Sequence, residues 1–147
     1  MNRILSILAI AGSLAATDMA SAQDLPQSVN DLRLTDIEIR EKPVAKYGRR
    51  VLGTLPGGAR IEIELDGKNA IEDIEARGSG LFPISEIRDL VPAPVRDSPG
   101  WPADAQLEKI EFESDGRVEI EGRLVDGREF EAEFSAEGLL LDFDTDE

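Results

Sequence analysis

From Arg33 onward the chain alternates apolar and charged residues, and the alternation is punctuated by glycine turns. Successive side chains of a strand point to opposite faces, so this period calls for strands with one buried and one wet face. In ARIEIEL the buried set is Ile61, Ile63 and Leu65, and the wet set is Arg60, Glu62 and Glu64. LEKIEFE, RVEIEGRLV and REFEAEF repeat the pattern from 107 to 134. They turn Ile110, Phe112, Val118, Ile120, Leu124, Phe130, Ala132 and Phe134 inward.

The breakers between strands are Pro56-Gly57-Gly58, Asp66-Gly67, Ser114-Asp115-Gly116 and Val125-Asp126-Gly127. Three of them fit a three-residue loop closed by a left-handed glycine. Around Ser114–Gly116 that loop sets Glu113 against Arg117, Phe112 against Val118, and Ile110 against Ile120. Around Val125–Gly127 it sets Gly122 against Phe130, Ile120 against Ala132, and Val118 against Phe134. A two-residue Asp126-Gly127 loop would put Leu124 against Glu129 and mix the faces, so it is rejected. Helix is scarce. FPISEIRDLV spaces Ile84, Ile87, Leu90 and Val91 for about two turns, and Leu25 to Leu32 offers a second short helix. Four prolines make 92–106 a connector, with Trp101 pinned against the core.

The segments VLGTLPGGARIEIEL (51–65) and IEGRLVDGREFEAEF (120–134) align at a constant offset of 69, with Gly53 on Gly122 and Gly58 on Gly127. LTDIEI (34–39) and LEKIEF (107–112), then IEDIE (71–75) and LLDFD (140–144), extend the likeness. This duplication predicts an α+β fold of two tandem repeats. Each is a short helix plus a four-stranded antiparallel meander, with the helices packed on one face of the sheet. The predicted boundaries are 23–90, including the helix that follows the first repeat, and 91–147.

A helix opening on Leu-Pro or Val-Pro, followed by strands of the form LEKIE…DGRVEIEG…DGREFEAEF…EG, resembles the PepSY and PepSY-like domains. The likeness covers Leu107–Phe143 and, more loosely, Leu34–Glu75; the first copy departs at Tyr47-Gly48-Arg49-Arg50. Tandem copies in that family resemble the β-lactamase-inhibitor protein fold. The resemblance implies an extracytoplasmic protein and, for some members, the binding or restraint of peptidases. It implies no catalytic residue.

The first 22 residues read as a secretory signal: Arg3, an apolar run from Ile4 to Ala16, and Ala20-Ser21-Ala22 as the small-x-small cleavage pattern. The apolar run breaks at Thr17-Asp18, short of a membrane span. A periplasmic or secreted protein starting at Gln23 is the expectation. No cysteine is present to carry a lipid or a disulfide.

The formal net charge is −15, and a field of that sign repels nucleic acid and anionic membrane. The absence of histidine and cysteine removes His-based acid–base catalysis, Ser-His-Asp and Cys-His nucleophiles, and imidazole or thiolate metal sites. One Trp, one Tyr and five Phe, most of them on buried strand faces, leave little for sugar or base stacking. A paired-carboxylate glycosidase needs a cleft that such a small sheet lacks. The expectation is therefore a non-enzyme without cofactor.

The candidate site is an acidic sheet face. The registers above set Glu111 opposite Glu119 and Glu119 opposite Glu133, with Glu121 and Glu131 paired beside Lys109. These five glutamates form the candidate surface for a basic protein partner or a peptidase. The alternative is loose calcium binding by the same carboxylates. Neither DFDTDE nor Asp66-Gly67-Lys68-Asn69 matches the EF-hand loop.

Overall fold

The hairpins share one turn chemistry. Backbone bonds of 2.8–2.9 Å close loops from Leu55 to Ala59, Asp66 to Ala70, Glu113 to Arg117, Leu124 to Arg128 and Ser135 to Leu139. The last loop residue has positive φ in each: Gly58 (95°), Asn69 (65°), Gly116 (90°), Gly127 (91°) and Gly138 (84°). That is the glycine-last loop expected for the Gly58, Gly116 and Gly127 turns. Asparagine, which tolerates the left-handed region best after glycine, substitutes in the second.

The computed structural model describes residues 24–146; the proposed signal segment lies outside them. The strands are β1 (Thr35–Glu41), β2 (Arg49–Thr54), β3 (Arg60–Leu65), β4 (Ile71–Ala76), β5 (Phe82–Pro83), β6 (Gln106–Phe112), β7 (Val118–Arg123), β8 (Glu129–Phe134) and β9 (Leu140–Thr145). They form one antiparallel sheet in the order β1-β2-β3-β4-β6-β7-β8-β9, with β5 a short addition beside β6. The expected pairings Phe112–Val118, Ile110–Ile120, Ile120–Ala132 and Val118–Phe134 are all present.

The registers join into a row across eight strands: Ile39, Val51, Ile63, Ile74, Ile110, Ile120, Ala132 and Phe143. From Val51 to Ala132 this row is buried. It shares one core with Leu25, Val29, Phe82, Ile84, Ile87, Val91 and Val95, and Trp101 packs against that core. Trp101 meets Phe134 with ring centroids 5.5 Å apart, as the connector reading anticipated. Phe112 and Leu124 pack at the core's margin.

The α+β expectation of two tandem units with helices packed on one face is corrected. The sheet is continuous, because β4 hydrogen-bonds to β6 through Asp73–Glu111, Ile74–Ile110 and Glu75–Lys109. The β1–β2 connection carries a 3₁₀ turn, Ala45–Tyr47, where β6–β7 has a tight loop. The helical pieces are α1 (Gln27–Asn30), the 3₁₀ turns Ala45–Tyr47 and Ile84–Leu90, and α2 (Ala93–Arg96). Pro26, Pro83 and Pro92 stand just before three of them, and segments this short cannot build a helical layer. Apolar anchors on these short helical pieces and on the extended chain between them, Val29, Ile84, Ile87, Val91 and Val95 among them, cover the inner face instead. No described helix is long and apolar enough to cross a membrane.

Candidate partner-binding face

Residues directly opposite in antiparallel strands share a face, so the registers that build the core also build the other side of the sheet. One outer row reads Arg40, Arg50, Glu64, Asp73, Glu111, Glu119, Glu133 and Asp142. The neighbouring row reads Glu38, Leu52, Glu62, Glu75, Lys109, Glu121, Glu131 and Asp144. All five glutamates of the candidate surface therefore lie together on β6, β7 and β8, with Glu111 facing Glu119, Glu119 facing Glu133, and Glu121 facing Glu131. Neighbouring strands lie about 5 Å apart, which keeps adjacent carboxylates within range of mutual repulsion.

Sequence reasoning missed the flanks. Glu64 and Asp73 join the first row only because β4 pairs with β6. Asp142 and Asp144 join through the β8–β9 register. The Ser135–Leu139 turn, with its Glu-Gly, was the available signal for that last pairing; nothing in 77–105 signals the first.

Cations are unevenly distributed. Arg50 holds Glu64 at 2.7 Å, Lys42 reaches Glu64 at 3.0 Å and Glu72 at 2.9 Å, and Arg77 approaches Glu62 at 3.6 Å. Lys109 binds Glu111, and Arg117 binds Glu133. Among the described residues, Asp73, Glu119, Glu121, Glu131, Asp142 and Asp144 have no ion-pair partner. Burial, followed by Glu111, Glu131, Glu121 and Glu133, pushes the half-buried Glu119 above the usual carboxylate range. Glu121 is raised by burial and then Glu131, with Lys109 acting against them.

No family model matches the chain, and no curated protein or solved structure matches it. The chemistry of the face must therefore be read from its own residues. A cation cage is not built: among the described residues no group of three or more Asp or Glu side chains is arranged to hold a metal ion. Asp66 serves its own turn, accepting from the Lys68 N–H at 2.7 Å and the Ala70 N–H at 2.9 Å. What the face offers is a broad, regularly spaced negative surface.

Proposed function

We propose that this is an exported, PepSY-like, non-catalytic binding protein that holds a basic protein partner, such as a peptidase, on its acidic sheet face. The observation that carries the reading is the line Asp73, Glu111, Glu119, Glu133 and Asp142 across five adjacent strands, with Glu119 unpaired at its middle. A sheet gains no stability from like charges set directly opposite. A basic partner turns that cost into affinity. The signal-like N-terminus, the net charge of −15 and the lack of histidine and cysteine support the same reading. Export requires the mature protein to begin at Gln23, which N-terminal sequencing or intact mass of secreted material checks; a chain retaining Leu5–Ile10 would sink the location.

Glu119→Gln separates a binding face from a merely tolerated one. The substitution is expected to stabilise the fold by a few tenths of a kcal/mol at low salt, with the gain fading as salt screens the repulsion. It is also expected to weaken binding of an oligolysine peptide several-fold at low salt. Loss of stability at every salt concentration would make Glu119 a structural pairing residue. Unchanged peptide affinity would leave the charge as a solubility device.

A further inference from the structure

We infer that β9 is the docking edge of this face and takes an extended, alternately basic and apolar segment of the partner as an added strand. The inference rests on the acidic-face reading above and names the shape of the partner that the face receives. Among the described residues β9 pairs only with β8, so its far side is an open edge. The Asp146 N–H donates to the Glu129 carbonyl at 3.2 Å. In an antiparallel ladder this hydrogen-bonded pair turns the amides of Asp142, Asp144 and Asp146 toward β8. Those of Phe143 and Thr145 then point outward. The outward Phe143 N–H is held only by the carboxylate of its own neighbour, Asp142, at 3.0 Å.

Both faces of the sheet run out at this edge, and each specifies what comes next. The inner apolar row ends on Phe143, which stacks on Phe130 at 6.1 Å yet remains 41% exposed. The outer rows end on Asp142 and Asp144, neither with an ion-pair partner among the described residues. A further strand alongside β9 would place an apolar residue beside Phe143 and basic residues beside Asp142 and Asp144. A depression of about 430 Å³, lined by Glu121, Phe130, Glu131, Asp144 and Thr145, opens next to this edge and has room for a long basic side chain.

Two alternatives fit worse. A second copy would set its own Asp142 and Asp144 against ours, and like charges across strands repel. The opposite edge, β1, is bent by a bulge at Asp36 (φ 51°), and its Glu38 and Arg40 neutralise each other at 2.8 Å. β9 has an irregularity of its own at Leu141, but it is regular from Asp142 to Thr145, and among the described residues Asp142 and Asp144 have no ion-pair partner.

The test uses the full chain and three end-blocked octapeptides: alternating Lys and Val, the same peptide N-methylated at every residue, and alternating Ser and Val. The Lys-Val peptide is expected to bind at least about tenfold more tightly than its N-methylated form, which keeps the charge but cannot pair with a strand. It is also expected to slow hydrogen exchange at the Phe143 and Thr145 amides. Equal binding of the two lysine peptides, with exchange at those amides unchanged, overturns the docking edge and leaves the acidic-face reading standing. Ser-Val binding as tightly as Lys-Val at low salt overturns both. A dimer whose Phe143 and Thr145 amides are already protected makes the occupant a second copy, and the inference falls.

Discussion

Gly122→Ala is expected to destabilise the fold by about 3 kcal/mol, whereas Gly53→Ala is expected to cost about 1 kcal/mol or less. The two glycines occupy matching places, Gly53 opposite Ile61 and Gly122 opposite Phe130. Their surroundings differ. A Cβ on Gly122 would lie 2.1 Å from the Gln106 carbonyl oxygen and 2.8 Å from the Leu107 Cα, both backbone. The irregularity of β6 between Leu107 and Lys109 brings that backbone over the glycine. A Cβ on Gly53 would meet the Leu34 side chain at 3.0 Å, and a half-buried leucine can shift. Urea titration of both variants checks the difference, read as a change of midpoint at constant slope. Equal losses would mean that β6 moves aside as easily as Leu34 does. The residue facing Gly122 therefore gives too small a reason for it; the decisive neighbour is the backbone of the other adjoining strand.

The second large effect is on pH. Burial, then Glu64, Glu111 and Glu75, push Asp73 up to about 6, with Lys109 pulling the other way. A carboxyl raised in the folded state stabilises the fold fully below its ordinary value of 3.8, and that contribution is lost as pH rises through about 6. Glu119 and Glu121 act in the same sense. The opposite sense belongs to Glu38, Asp115 and Asp126, held down by Arg40, Arg117 and Arg128. Glu64 is also held down, by Lys42 and Arg50 against its own burial. These groups withdraw support as pH falls below the ordinary carboxylate values. Stability is therefore expected to rise from pH 7 to a maximum between about 4.5 and 6, then to fall. Asp73→Asn should raise stability at pH 7 by about 1–2 kcal/mol, allowing for partial screening by water, and flatten the profile near pH 6. A thermal melt series in pH checks both. A destabilised Asp73→Asn at pH 7 would show that the ionised carboxylate is paired rather than crowded.

The local hydrogen-bond grammar of this sheet was legible because each hairpin is governed by its own turn. Gly116 and Gly127 set the β6–β7–β8 register, and that register by itself puts Glu111, Glu119 and Glu133 in line. The adjacency of β4 and β6 was hidden. It depends on how residues 77–105 double back, and the prolines there leave no periodic pattern to follow. That gap concealed Asp73, the most perturbed carboxylate of the face. It also allowed a single sheet to be read as two units. The short helices lie where their spacing puts them, at Gln27–Asn30 and Ile84–Leu90, but the second is 3₁₀, and their apolar residues anchor the sheet without forming a helical layer.

The strand order carries a consequence for synthesis. Every strand after β1 on the main path of the sheet pairs with the main-path strand before it in the chain, and β6 reaches β4 once the 77–105 connector, which carries β5, has closed. The sheet can thus grow in the direction of translation, each new hairpin covering the edge left by the last. At every stage before β9 the leading edge is transient and is soon covered by the next strand, while the far side of β1 stays open throughout. Among the described strands β9 arrives last, and no later described strand covers the edge it presents, just as none covers the far side of β1.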